Sequence, residues 1–490
     1  MKVKCGHGTE RRTGLSRRNF LRYGVAGVAA GVASPLGFAA GAKARPNLLF
    51  IMSDDHAAQA ISAYGGTRNP TPNIDRIASG GVRFNNCFCT NSICGPSRAV
   101  ILTGKYSHRN GQLDNRTRFD GSQMTFPKLL RQGGYQTALV GKWHLHSEPT
   151  GFDYWNVLPG QGAYHDPVMI RNGEKQKHSG YVTDIITDEA LQWLDDREPG
   201  KPFCLMLHHK APHANWETDA KHADLFANRE IPEPETFNDD YRTRTAQIRE
   251  HRLKVGPLQW ELHFEKRFGP IPEGVSGQAA REWVYQRYMK DYLRCVASVD
   301  DNVGRVLDYL DAHGLRENTV VVYTSDQGFF LGEHGLYDKR FMYEEALRMP
   351  LLMRYPREIP AGTTCDAIAL NLDFAETFLD YAAVDVPVGM QGRSLRAIAM
   401  GEGESSWRDA MYYRFYEEAY GVGPHEGIRT KEYKLIHFLY GDGGWELYDL
   451  EADPHELVNL YGRPEQAELV ARLKERMEAL KRQYQVPPGP

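Results

Sequence analysis

Cys94-Gly95-Pro96-Ser97-Arg98 sets a thiol and a guanidinium four positions apart, just ahead of the apolar run Ala99-Val100-Ile101-Leu102 and a closing Thr103-Gly104. Proline costs nothing in a first helical turn, where its missing N–H has no partner to lose, and glycine can end the run. The pattern predicts a helix with Cys94 at its positive end, where an anion is stabilised. On its own such a cysteine reads as a small buried hydrophobe. Two acidic tips add to it: Ser53-Asp54-Asp55-His56 and Ser325-Asp326-Gln327-Gly328. Either pair alone is ordinary turn material. Gathered together, three carboxylates and an amide oxygen repel one another without a cation, and an all-oxygen set suits Ca²⁺ or Mg²⁺ better than zinc.

Cationic and proton-handling groups recur in Gly141-Lys142-Trp143-His144, His208-His209-Lys210-Ala211-Pro212-His213 and Asp338-Lys339-Arg340. Fixed cations stabilise negative charge as it develops on a substrate, and a histidine near its intrinsic pKa can pass a proton at neutral pH. His56, His146, His208 and His209 read as packed or solvated side chains. His108, just beyond the Cys94 helix, is equally compatible with packing and with substrate contact.

The elements that must position these groups are apolar runs of strand length. Residues 46–52 and 319–324 are followed directly by the acidic tips, and 137–140 and 203–207 end at the cationic motifs. Fully buried parallel strands read this way. In open α/β sheets ligands bind beyond the carboxyl ends of the strands, so the tips can converge. Helical periods cover 183–196 and 284–311, with a polar insertion at 215–281 that reads as a surface excursion. The predicted fold is α/β over 46–387: a large, mostly parallel central sheet with helices on both faces. From 388 to 490 short strands at 433–440 and 446–450, then a charged helix at 464–483, predict a smaller α+β subdomain with an antiparallel sheet.

In series these strings resemble the sulfatase family. Its signature is Cys-x-Pro-Ser-Arg followed by Leu-Thr-Gly-Arg, with Lys105 here in place of the last arginine. Gly141-Lys142-Trp143-His144, Pro212-His213 and Lys339 match further family motifs. Gly332-Glu333-His334-Gly335 and the later Glu446-Leu447-Tyr448-Asp449-Leu450 and Asp453-Pro454-His455-Glu456 fit its C-terminal stretch. The resemblance implies an alkaline-phosphatase-like fold and a sulfuric ester hydrolase. It implies that Cys94 is converted to formylglycine by a formylglycine-generating or sulfatase-maturating enzyme. It implies a divalent metal, Ca²⁺ with Mg²⁺ as the alternative, held by Asp54, Asp55, Asp326, Gln327 and the modified Cys94; Gln327 stands where the family more often has Asn or His. Arg98 and Lys142 would then hold formylglycine and sulfate, and Lys339 and His213 would face the ester oxygen. His213 would protonate the leaving group, and His144 would deprotonate the second hydroxyl of the hydrated aldehyde. The expected substrate is an O-sulfated carbohydrate, N-acetylglucosamine 6-sulfate first and iduronate 2-sulfate next. His108 and His425 are further candidate substrate contacts, the latter with Tyr412, Tyr413, Tyr416 and Tyr420 able to stack on sugar faces. The alternatives are a phosphonate or phosphate monoester hydrolase, against which Cys94 argues, and a non-enzymatic metal- or glycan-binding protein with unmodified Cys94.

Residues 1–44 are read apart from the fold. Ser16-Arg17-Arg18-Asn19-Phe20-Leu21-Arg22, a Gly/Ala-rich apolar stretch and Ala42-Lys43-Ala44 form the pattern of a twin-arginine export signal. That implies the twin-arginine translocase as a partner and a periplasmic or secreted enzyme. A net charge of −4 over 490 residues gives no footprint for nucleic acid. Seven cysteines leave room for a disulfide or two but define no framework.

Overall fold

All seven residues of strand β1 (Asn47–Ser53) are buried without a break, as are those of β7 (Phe203–His209) and β8 (Thr319–Ser325). A strand with one covered face alternates; a continuous run needs cover on both. In the computed structural model, which describes residues 45–488, these strands form the centre of a ten-stranded sheet. The others are β2 (Val82–Phe84), β3 (Gln136–Lys142), β4 (Tyr154–Leu158), β5 (Val168–Arg171), β6 (Glu174–Lys177), β9 (Leu351–Arg354) and β10 (Thr363–Cys365). The order is β10-β2-β9-β8-β1-β7-β3-β4-β5-β6. The block β8-β1-β7-β3-β4 is parallel, while β9 and β5 run against their neighbours. Phe50 of β1 meets Phe374 and Phe378 edge-on at 5.9 and 5.5 Å, which docks the helix Phe374–Tyr381 on the sheet.

Register decides where the site falls. Ser53 lies opposite both His209 and Ser325, and Gly141 lies opposite His208. Four strands from distant parts of the chain therefore end level, and their tips share one edge. Gly141 makes the approach of β3 to β7 possible: its φ is +111°, and a Cβ there would fall 1.9 Å from the His208 carbonyl oxygen.

Helix α1 (Cys94–Thr103) forms as read, entirely buried, and ends at Gly104 in the left-handed conformation. Helix α2 (Val182–Asp196) matches the predicted period. Helix α3 (Gly277–Ala312) starts before the predicted residue 284. The polar insertion is more ordered than a surface excursion: Trp216, Trp260 and Phe264 are buried in it, with Trp216 stacked on Phe264 at 5.4 Å. The C-terminal region contains the expected antiparallel sheet, β11 (Ala410–Phe415), β12 (His425–Thr430), β13 (Tyr433–Phe438) and β14 (Gly444–Asp449), with helix α4 (Ala467–Gln483) against it.

Two expectations need comment. The export signal at 1–44 lies outside the described residues. All six cysteines among the described residues, Cys87, Cys89, Cys94, Cys204, Cys295 and Cys365, are free, so the room left for a disulfide is unused there.

Candidate active site

The level strand ends bring the two acidic tips together. The Asp55 N–H donates to Asp326 Oδ1 at 3.2 Å, and the His56 N–H donates to Ser325 Oγ at 2.9 Å. One carboxylate oxygen from each of Asp54, Asp55 and Asp326 lies within 4.8 Å of the others. Gln327 joins them, its Nε2 donating to Asp55 Oδ1 while its Oε1 is buried with no partner. Cys94 Sγ stands 3.5 Å from Asp54 Oδ1 and 3.8 Å from Gln327 Nε2. Its position is set by α1, whose Gly95 N–H donates to Asn115 Oδ1 at 2.9 Å. An otherwise orphaned donor of the first turn is satisfied there.

Cations line the same space. Arg98, one turn along α1 from Cys94, donates from Nε to Asp326 Oδ2 at 3.0 Å and from Nη1 to the Lys142 carbonyl at 2.8 Å. Lys142 Nζ pairs with Asp54 and with Gln161 Oε1, the latter at 2.5 Å. Lys339 Nζ pairs with Asp55 Oδ2 at 2.7 Å and Asp338 Oδ1 at 3.3 Å. His213 turns Nε2 towards Asp55 Oδ2 at 3.7 Å, and its Nδ1 lies 2.7 Å from the Ala214 carbonyl oxygen. Since a carbonyl only accepts, Nδ1 carries the proton and the neutral ring offers a lone pair at Nε2. Tyr164 OH donates to the His213 carbonyl at 2.5 Å.

The electrostatics are those of crowded, buried charge. Burial pushes the Asp54 carboxyl up, but Lys142, His213, Arg98 and Lys339 together hold it well below the usual range. Burial, reinforced by Asp54 and Asp326, pushes Asp55 up to about 7 against the pull of Lys339. Burial and Asp54 push Asp326 up to about 6. Two raised carboxyls beside a lowered one are the mark of acids that cannot all ionise together without a cation. Burial and the neighbouring Asp54 also push the Cys94 thiol well above its usual range, so it is a poor thiolate nucleophile. Burial, with Lys142, pushes His144 down to about 2 and His213 well below its ordinary value. Burial opposes the Lys339 charge, but the carboxylates Asp55, Asp338 and Asp54 outweigh it and push the ammonium well above its ordinary value.

The structure thus gathers Asp54, Asp55, Cys94, Arg98, Lys142, His213, Asp326, Gln327 and Lys339. His144 follows directly on Trp143 at the end of β3, buried, with Nδ1 unpartnered. Two predicted contacts do not join. His425 is fully buried on β12 among Tyr413, Phe415 and Phe438, its Nδ1 2.9 Å from the Gly423 carbonyl oxygen, so it packs the core and reaches no substrate. His108 stacks on Tyr106 and its Nε2 meets the Tyr484 carbonyl oxygen at 2.9 Å, tying α1's flank to the C-terminus.

A cavity of ≈ 140 Å³ opens on the cluster. Asp55, His213 and Lys339 line it together with Asn115, Gln161, Trp216, His263, Phe329, Asp338, Arg340 and Tyr420. Sequence reasoning assigned no role to Gln161, Asn115 and Trp216, which sit on loops with no local pattern, or to His263, which ends the short helix Pro257–His263.

Buried carboxylates at the carboxyl edge of a parallel sheet, beside a cysteine at a helix start, define a hydrolase built to handle an anionic ester. Residues 46–384 match the family model described as Sulfatase, and 332–483 match N-sulphoglucosamine sulphohydrolase, C-terminal. The chain belongs to the sulfatase family and is a sulfuric ester hydrolase. It is 46% identical over 484 residues to an N-acetylglucosamine-6-O-sulfatase of Bacteroides thetaiotaomicron, covering 90% of this chain and 87% of that protein. An ulvan-active sulfatase of Formosa agariphila is 27% identical, with 89% and 82% covered. A solved structure in complex with its substrate D-glucosamine-2-N,6-O-disulfate is 46% identical with a TM-score of 0.86, covering 90% of this chain and 98% of that one.

Proposed function

We propose that this sulfatase removes the 6-O-sulfate of an N-acetylglucosamine-type residue in a glycosaminoglycan-type sugar. The observation that carries the reading is the 46% identity to the Bacteroides enzyme over nearly the whole chain. The cavity supports it. Its lining combines the charged groups Asp55, Lys339 and the paired Asp338 and Arg340 with the exposed ring of Tyr420 and the buried rings of Trp216 and Phe329. Aromatic faces suit sugar C–H surfaces, and a carboxylate beside a guanidinium can accept from and donate to vicinal hydroxyls.

The residues present fit a hard cation: three convergent carboxylates, a buried Gln327 oxygen without a partner, and two acids raised by burial and then by their carboxylate neighbours. Asp54, Asp55, Asp326, Gln327 and position 94 would hold it, and Ca²⁺ suits this set best. A second convergence, Asp54 with Cys94 and His213, would favour zinc, but it asks for a thiolate that burial disfavours. When bound, the ion polarises sulfate oxygens. Position 94 would carry formylglycine, which supplies a hydroxyl nucleophile for covalent catalysis and replaces the inert thiol. Arg98 orients the acidic floor through Asp326 and the Lys142 carbonyl. Lys142 and Lys339 give fixed positive charge to the sulfate. His213, neutral in this structure, is drawn towards protonation by an anionic substrate and then delivers a proton from Nε2 to the leaving oxygen. His144, neutral and buried, accepts one. Export by the twin-arginine translocase to the periplasm or beyond, after maturation of Cys94, completes the reading and rests on residues 1–44.

A panel of defined sulfated mono- and disaccharides, scored by the position that loses sulfate, tests this. Release from the 6-position of glucosamine-type sugars is expected. Turnover of aryl sulfates with none on any sugar would overturn the glycan reading.

A further inference from the structure

The segment Arg252-Leu253-Lys254-Val255 forms a wall between two cavities. Leu253 lines the catalytic one, and Arg252 and Lys254 line a second, of ≈ 570 Å³. The wall is fixed on both sides. The Arg252 N–H donates to the Tyr420 carbonyl at 2.8 Å, the Tyr337 N–H donates to the Leu253 carbonyl at 3.1 Å, and the Val255 N–H donates to the Gly335 carbonyl at 2.8 Å. Tyr420 and Tyr337 themselves line the catalytic cavity. Leu253 faces the catalytic cavity while Arg252, Lys254 and Val255 line the second, so this wall offers an apolar residue to the reacting sugar and two cations to its neighbour.

The second cavity is cationic without compensation from within. Arg252, Lys254 and Arg281 line it, and its carboxylate, Asp239, is already engaged by Arg244 at 2.9 Å and His334 at 2.9 Å. Lys254 and Arg281 are near enough to feel each other: after burial, the Arg281 charge is what lowers the Lys254 ammonium. Lys254 spends one N–H on the Arg249 carbonyl at 3.0 Å, leaving further donors. Both Arg252 and Lys254 are exposed. Tyr241, Pro257 and Leu258 supply apolar surface in the same cavity, which sets apolar lining beside cations.

We propose that this cavity is a binding site for an anionic group, sulfate or carboxylate, on a saccharide flanking the one that loses its sulfate. The inference rests on the reading of a glycosaminoglycan-type substrate and extends it from a single sugar to a chain. A monosaccharide fills only the catalytic cavity. An anionic oligosaccharide crosses the wall and gains the Arg252 and Lys254 charges, at a cost in salt sensitivity because those charges are exposed.

The test compares the wild type with Arg252→Ala/Lys254→Ala on a 6-sulfated glucosamine monosaccharide and on a sulfated, uronate-containing tetrasaccharide, at low and high salt. Tetrasaccharide kcat/KM should fall about tenfold, chiefly through KM, the size expected for losing roughly 1.4 kcal/mol of contact. Monosaccharide turnover should stay within about twofold. Raising the salt should weaken tetrasaccharide turnover in the wild type and much less in the variant. A desulfated, decarboxylated tetrasaccharide should not distinguish the two proteins. Equal losses on mono- and tetrasaccharide, or none on either, would overturn the flanking site while leaving the substrate reading intact. Tetrasaccharide binding that weakens in the variant, with no desulfation by either protein, would overturn the substrate reading and keep the cavity.

Discussion

Gln327 Oε1 is a buried acceptor with no donor, set beside carboxyls that resist common ionisation. An unpaired buried oxygen costs free energy unless something satisfies it, and a hard cation would. Chelation should therefore abolish turnover, with Ca²⁺ restoring it better than Zn²⁺. Gln327→Leu, which removes the oxygen at similar volume, should raise the Ca²⁺ concentration for half-maximal activity about tenfold or more. Elemental analysis finding stoichiometric zinc would overturn the assignment. The acidic tips were legible because each closes an unmistakable buried strand. Gln161 and Asn115 were not, since both act only through tertiary contacts, to Lys142 and to the Gly95 N–H. His425 was misread because a histidine among tyrosines looks the same in sequence on an open face and inside a sheet.

At the scale of elements, the site exists because β1, β3, β7 and β8 end level. Strand lengths and apolar runs gave their existence, but register is fixed by backbone approach that no local pattern encodes. Gly141 is the tightest such approach. Gly141→Ala would press a methyl into the His208 carbonyl in a conformation that side chains rarely adopt, at a cost of about 3 kcal/mol. A clear drop in Tm is expected, together with loss of activity as Lys142 and Trp143-His144 shift. Unchanged stability and turnover would show that β3 carries no such constraint. The insertion at 215–281 read as polar because its charges are exposed, and the few aromatic residues that order it were outnumbered.

Over the whole molecule, buried ionisable groups tie the C-terminal region to the main sheet. Glu376, on the helix that packs against Phe50, accepts the Gly392 N–H at 2.6 Å and is pushed from 4.5 up to about 8, first by burial and then by Asp373. Below pH 4.5 the folded and unfolded chains both hold this proton. Between 4.5 and about 8 the unfolded chain releases it while the folded chain keeps it, so stability falls as pH rises through that window. Glu376→Gln retains the acceptor without the charge. Thermal melts at pH 6 and pH 9 should show the wild type losing about 1 kcal/mol or more that the variant does not lose. Parallel losses in the two proteins would refute this.

Cys94 has no exposed surface. Buried in the first turn of α1 at the carboxyl edge of the sheet, its sulfur is beyond the reach of any other macromolecule. If position 94 is altered by a second protein, that event has a deadline: it belongs to the interval between synthesis of the nascent chain and closure of the sheet edge. Incubating the folded, unmodified protein with a modifying enzyme would then come too late. The finished fold would preserve whichever chemical history residue 94 had when strands more than 200 residues apart came level, and a single population could hold active and inert molecules of the same shape.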